Sequence, residues 1–312
     1  MTTTSIISDI SVVIPLYNKA AEIERTLGSV LGQSVQPREI IVVDDGSTDG
    51  GAEIVERMAS PLVRLVRQSN AGVSAARNKA ISLASGRWIA LLDGDDRWSE
   101  DYLLTMARLI ERYPDCGAYG SGFYVDDGKK LVLADTPQAE GVVDFFAESM
   151  RRYVLIPSAT ILRRDLVVEL GGFPAGMRMG EDQYLWTKIA RVADVAFSPA
   201  PNVVYSRAAS NRSASIFRPE QSAFSLEDLY DADASAISNE YVARVALGKA
   251  LVESVRGGTE SARRALEFFS YNTMSRNIAR KVSLFNALPC ALRPAVSAVY
   301  NWLAWVIARK GL

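Results

Sequence analysis

No histidine occurs among the 312 residues. Its absence removes the commonest general base, the Ser-His-Asp triad, the usual zinc sites and His-ligated haem together. Acid–base chemistry in this chain falls to carboxylates, lysine or tyrosine. Cysteine is nearly absent too: Cys116 and Cys290 are too few for a disulfide framework and read as small buried residues of a reducing compartment. An excess of either charge is also missing. The 35 Lys and Arg are balanced by 36 Asp and Glu, interspersed along the chain, so no nucleic-acid partner is expected. The opening "MTTTSIISDI" lacks a basic stretch followed by a signal-length apolar run, and a cytoplasmic location is expected.

What is present suits a packed core, since apolar residues make up 48% of the chain. From residue 10 to about 115, short β-branched runs at 10–16, 39–43, 63–67 and 88–92 alternate with segments of helical period. Such alternation predicts an α/β domain built on an open parallel sheet flanked by helices. One of those helices, in "SEDYLLTMARLIERYP", is expected to start at a Ser99 cap and stop before Pro114. Ligands of such sheets gather beyond the carboxyl ends of the strands. The polar clusters obey that rule: "PLYN", "DDGSTD", "QSNAG" and "DGDD" follow the four strands in turn. Beyond 115 the strands shorten, with a turn at Asp127-Gly128 and a loop at "GGFP". A helix follows in "RMGEDQYLWTKIARVA", where Leu185, Trp186, Ile189 and Val192 share one face. From about Ser215 the pattern is mainly helical.

Three motifs carry chemistry. In "LLDGDDRW" an apolar strand runs into Asp93, Asp95 and Asp96, and helix capping accounts for one of these acids but not three. A hard divalent cation accounts for them better, because Mg²⁺ or Mn²⁺ takes one or two carboxylates together with substrate phosphates. Gly94 lets backbone or ligand approach closely, and Asp96 is expected to cap or orient the next helix. "DDGSTDGGAEIVE" approaches the spacing of a calcium loop counted from Asp45. The preceding "EIIVV" reads as a strand, however, so a tight turn presenting Asp44 or Asp45 to a ligand is favoured. "GEDQYLW" sets Glu181 and Asp182 at a helix start, where acids often sit for dipole reasons alone. Without histidine, a carboxylate there is also the best candidate to take a proton from an acceptor hydroxyl.

In this order and at these separations, "VVIPLYN", "IIVVDDGSTD", "NAGVSAARN", "LLDGDDRW" and "GGFPAGMRMGEDQYLW" resemble the family 2 glycosyltransferases of the GT-A fold, over residues 10 to about 207. The resemblance implies a Rossmann-like, mostly parallel sheet and an inverting, metal-assisted transfer from a nucleotide-sugar. By it, Pro15, Tyr17 and Asp45 line the base pocket with Asp44 nearby, and Asn70, Gly72 and Arg77 stand in or behind that wall. Asp93 contacts ribose or metal, Gly94 lies against the donor, and Asp95 is the main ligand of Mn²⁺ or Mg²⁺. Asp182 is the catalytic base, with Glu181 next to it as its helper or understudy for that role. Where many relatives carry a histidine after the base, this chain reads "VVYSRAASNRSAS", so Arg207 or Arg212 is the candidate to stabilise the leaving diphosphate.

The expected organisation is a tail at 1–9, a catalytic domain at 10–214 and a helical extension at 215–312. Within the domain, 10–115 forms the nucleotide half and 116–214 the acceptor half. In the extension, 295–308 is apolar around most of a helix but roughly 21 Å long, short of the roughly 30 Å of a bilayer core. Trp302 and Trp305 beside basic ends suit a membrane interface, while packing on the domain or in a homodimer is the plainer reading. The expected activity is hexosyl transfer from a UDP-sugar to a hydroxyl of a glycan or lipid-linked saccharide in cell-surface polysaccharide synthesis, at the cytoplasmic face of the inner membrane. Two other readings are weighed. A glycan-binding scaffold that lost catalysis is opposed by the intact acids, and a dehydrogenase by "PLYN" standing where G-x-G-x-x-G belongs.

Overall fold

The computed structural model describes residues 2–208 and 222–298. Two compact units divide at Phe224 and Ser225. The boundary expected at 214/215 lies outside the described residues, as do Arg212 and the stretch from 299 onward that holds Trp302 and Trp305.

In the first unit, a ten-stranded sheet comprises β1 (Ile10–Leu16), β2 (Glu39–Asp44), β3 (Val63–Arg67), β4 (Trp88–Leu91), β5 (Arg97–Trp98), β6 (Ala118–Asp126), β7 (Leu131–Leu133), β8 (Gly141–Val143), β9 (Thr160–Arg163) and β10 (Val195–Ser206). The main order is β3-β2-β1-β4-β9-β6-β10-β5. The first four strands are mutually parallel and joined by crossover helices, as the alternating pattern predicts. β1, β2 and β4 are buried on both faces, which is why they read as continuous Val/Ile/Leu runs.

α1 (Thr3–Ile7) replaces the expected tail: Ile6 and Ile7 are buried in the core, because two adjacent isoleucines next to β1 have apolar surface to cover. α2 (Ile23–Leu31) buries Ile23, Thr26, Leu27 and Val30, a single helical face. α3 (Gly51–Arg57) and α4 (Val73–Leu83) complete the crossovers. α5 (Tyr102–Arg112) starts at Asp101 without a side-chain cap, and the Ser99 hydroxyl donates instead to the Asn202 carbonyl beside β10.

The second half of the sheet is mixed. β9 lies antiparallel between β4 and β6, while β10 runs parallel to β6 and so in the same direction as β1 to β4. The carboxyl ends of β4, β6 and β10 therefore share the edge where the polar loops gather. α6 (Phe145–Ser149) and α7 (Arg164–Glu169) are short connectors, and α8 (Glu181–Val192) leads into β10. Leu185, Trp186 and Ile189 are buried, but Val192, the last residue of α8, is exposed.

The second unit holds α9 (Ala236–Val255), α10 (Thr259–Phe268) and α11 (Arg276–Ala287), around Val242, Leu247, Phe269, Val282 and Phe285. Buried Arg293 donates to the carbonyls of Ser254, Asn286 and Leu288, satisfying helix C-terminal acceptors. Among the described residues no helix is long and apolar enough to cross a membrane.

Candidate active site

The first strand ends by letting its neighbour go. The Val13 carbonyl accepts from Leu92 N–H, and Pro15, on the same edge two residues later, has no N–H to continue the ladder. The chain after β4 is free to turn. Gly94 then passes so close that a Cβ there would lie 3.1 Å from the Pro15 carbonyl oxygen, so the glycine serves backbone packing at this point. Next to Pro15, Tyr17 is 44% exposed at the cleft edge. The loops after β1 and β2 are stitched together: Asn18 N–H donates to Ser47 Oγ at 3.0 Å, and Asn18 Oδ1 accepts from Thr48 N–H at 2.8 Å.

Asp44 and Asp45 are both buried. Asp44 accepts from Ser47 N–H, while Asp45 accepts from the Gln68 amide and from the backbone N–H groups of Ala71 and Gly72, each at 2.8 Å. Asp45 thus shapes the third loop into a wall carrying exposed Asn70 and Gly72. The calcium-loop alternative fails here, since β2 precedes the motif where a helix is required.

The three crowded acids are separated by their partners. Asp93 Oδ1 accepts from Arg77 Nη2 at 2.6 Å, and Asp95 Oδ2 from Lys19 Nζ at 2.8 Å. Asp96 is fully buried and accepts from Ser158 Oγ at 2.5 Å and Ser206 N–H at 2.7 Å. It ties the turn to β10 rather than capping the next helix, because Ser158 and Ser206 occupy its two oxygens. Burial, with Asp95 and Asp93 close by, raises its carboxyl well above the usual range against the two bonds that favour ionisation. From α2, Thr26 Oγ1 donates to the carbonyls of Gly94 and Asp96, and Arg25 to that of Asp95.

Arg77 and Asn78 are adjacent on α4 and split two tasks. Asn78 grips the "GGFP" loop through both halves of its amide, donating to Phe173 O and accepting from Phe173 N–H at 2.8 Å each. Gly172 makes this possible: its φ is +71°, and a Cβ there would sit 2.6 Å from Asn78 Oδ1. The held Phe173 ring packs under the Arg77 guanidinium, 5.1 Å from centroid to Cζ. Arg77, 3% exposed, then reaches Asp93 on one side and Glu181 Oε1 at 3.6 Å on the other. Burial opposes its charge, but Asp93 and Glu181 hold its pKa above the ordinary value.

Glu181 and Asp182 open α8 behind Gly180. Burial pushes Glu181 up to about 7, with Asp182 adding to the rise and Arg77 pulling against it. Burial also raises Asp182, again opposed by Arg77. A carboxylate near a helix N-terminus with an elevated pKa is suited to taking a proton at neutral pH.

Among the described residues, no group of three or more acidic or cysteine side chains is gathered to hold a metal ion. Asp95, 14% exposed, and Asp93, 27% exposed, instead fit a hard divalent ion completed by a ligand's phosphate oxygens. The structure thus joins Asp93, Arg77 and Glu181 directly, and Pro15 to Gly94. Arg207 is exposed just past β10, with its N–H on the Asp126 carbonyl. A polar depression of about 410 Å³ around Asp115, Arg163 and Asp194 lies at the opposite edge, by the starts of β6 and β10. Lys19, Arg25, Thr26, Asn78 and Ser158 escape sequence reasoning; only the adjacency of Lys19 to "PLYN" and of Asn78 to Arg77 offered a signal.

Comparison with known proteins bears on the family and the fold. Residues 11–171 match glycosyl transferase family 2. The succinoglycan biosynthesis protein ExoO of Rhizobium meliloti is 33% identical over 217 residues, 64% of this chain and 61% of that protein. The chain spans about half the length, or less, of the first curated relatives it matches. Among solved structures, S. aureus TarS 1-349 in complex with UDP-GlcNAc superposes with a TM-score of 0.68 at 20% identity, covering 89% of each chain. The mannosyltransferase PcManGT of Pyrobaculum calidifontis, in complex with GDP-Man and Mn2+, superposes with a TM-score of 0.54 at 21% identity, covering 95% of this chain and 80% of that one. These likenesses share the α/β sheet of the GT-A fold, and with more than half its length matched, the chain belongs to glycosyltransferase family 2.

Proposed function

We propose that this glycosyltransferase moves a hexosyl group from a UDP-sugar to a hydroxyl of a glycan or lipid-linked saccharide, with inversion, in the assembly of a cell-surface polysaccharide. The observation that carries this reading is the Asp93–Arg77–Glu181 bridge, which couples the acids at the end of β4 to the carboxyl pair at the head of α8. Asp182 takes the proton of the acceptor hydroxyl as the oxygen attacks the anomeric carbon, and a single displacement inverts that centre. Glu181, held by Arg77, keeps Asp182 in place. Pro15, Tyr17, Asp44 and Asp45, with Asn70 and Gly72, form the nucleotide pocket, and Gly94 lets the diphosphate lie close to the turn.

Asp95, with Asp93, would hold Mn²⁺ or Mg²⁺, which supplies neutralisation of the diphosphate charge when bound. Arg207 adds a guanidinium to the leaving diphosphate. The UDP-GlcNAc bound by TarS and the Mn²⁺ bound by PcManGT support the donor and the ion, and the name of ExoO supports the product class. Release of UDP from a panel of UDP-sugars with Mn²⁺ tests the reading. Turnover by the wild type that is lost in Asp95→Ala with an unchanged circular dichroism spectrum is expected. No turnover with any UDP-sugar, or equal turnover in both proteins, would overturn it.

A further inference from the structure

β7 stands apart from the rest of the sheet. A strand alternates its side chains between two faces, so one face is ordinarily buried and apolar and the other polar. In β7 both faces are apolar and both are solvated: Leu131, Val132 and Leu133 are 51%, 44% and 54% exposed. Among the described residues the strand pairs only with β6, through Tyr124 to Asp126. Edge strands are normally short, charged or covered, and this one is short but carries no charge along its three residues and, among the described residues, no cover.

Its approach, Asp126-Asp127-Gly128-Lys129-Lys130, carries two acids and two lysines, and Asp126 faces Arg97 at 3.6 Å. The turn before it presents Lys129 and Lys130, both exposed and neither within an ion pair among the described residues. Asp127, the acid of the same turn, accepts from the N–H groups of both lysines, so its carboxylate is occupied in holding the turn. At the foot of the hairpin, Tyr153 donates its N–H to the Asp135 carbonyl, packs edge-on against Phe123 and leaves its ring 49% exposed. Aliphatic side chains at a tip, lysines beside them and a half-exposed tyrosine behind are the chemistry of a lipid–water interface.

The root of this hairpin is one hydrogen-bonded step from the acidic turn. Asp126, the last residue of β6, is in register with Ser206 and 3.6 Å from Arg97. Ser206 N–H bonds Asp96, and Arg97 follows Asp96 in the chain. The hairpin therefore projects from the same sheet edge as the candidate active site.

We propose that the β6–β7 hairpin docks this unit onto an anionic lipid surface. Leu131, Val132 and Leu133 enter the headgroup boundary, Lys129 and Lys130 meet lipid phosphates, and the cleft is held at the bilayer, where a lipid-linked acceptor would be within reach. The docking does not depend on the transferase reading, and its test separates the two.

The full chain is sedimented with phosphatidylcholine vesicles, with and without phosphatidylglycerol. The wild type is expected to bind the anionic vesicles preferentially. Leu131→Ser with Leu133→Ser should weaken that binding by about tenfold or more, from the apolar surface lost. Lys129→Glu with Lys130→Glu should remove the preference for phosphatidylglycerol and its sensitivity to salt. UDP-sugar turnover in solution should be unchanged in both variants, which lie outside the site. Absence of wild-type binding would overturn the proposal, and so would binding that survives the leucine substitutions, which would point to another segment such as 295–308. A dimer that the leucine substitutions dissociate would show a second copy to be the partner of β7 and would equally overturn it.

Discussion

Replacing Glu181 by Gln should stabilise the protein, in a manner that depends on pH. The side chain is 15% exposed and is held between Asp182 and Arg77, and its pKa rises from 4.5 to about 7 on folding. That rise already includes the attraction of Arg77, so it measures the net cost of the charge in this site. A carboxyl raised in the folded state costs nothing below the unfolded value, where both states are neutral. The cost grows as pH passes from 4.5 to 7 and reaches about 3 kcal/mol above that. Glutamine keeps the shape and removes the charge. The gain should therefore be about 3 kcal/mol at pH 8 and about 1 kcal/mol at pH 5. At about 2–4 °C per kcal/mol for a unit of this size, the melting temperature should rise by roughly 6–12 °C at pH 8. Thermal melts of both proteins at the two pH values measure it. A variant no more stable than wild type at pH 8, or a gain equal at both pH values, would refute the reasoning.

Two further substitutions probe the supports of the site. Asn78→Ala removes both bonds to Phe173 and should cost about 2 kcal/mol of stability, with a fall in kcat/KM as the Phe173 platform under Arg77 loosens; an unchanged melting temperature would contradict the clamp. Asp96→Asn removes a charge that burial disfavours and keeps an acceptor for Ser206 N–H, so its melting temperature at pH 8 should not fall below that of the wild type, and it should retain more activity than Asp95→Asn, which should lose turnover; paired melts and UDP-release assays compare the two.

The parallel half of the fold is legible because its signals are local. Each β-branched run ends in polar residues, and each helix shows its own period, so 10–16 and 63–67 coincide with β1 and β3. The order of the second half is not local. That β9 inserts antiparallel between β4 and β6, and that Ser206 meets Asp96, depends on pairings between distant parts of the chain. The same reasoning divides the site. Asp93, Asp95, Glu181 and Asp182 attract attention because acids gathered at strand and helix ends invite explanation. Their organisers do not: Lys19 lies in the loop after β1, Asn78 sits mid-helix and Ser158 lies in a single 3₁₀ turn ahead of β9. Each acquires its role only from what the fold brings opposite it. The positive charge that the acidic turn demands is thus supplied in part by Arg77 and Lys19, two cations that belong to the chain.

Asp182→Asn tests the central claim most directly, because it leaves the donor-binding loops intact while removing the proposed base. Sugar transfer and UDP binding should be measured on the same preparation. Transfer is expected to fall by about a thousandfold or more with UDP affinity unchanged, in keeping with the loss of a general base. Transfer at the wild-type rate would contradict the account.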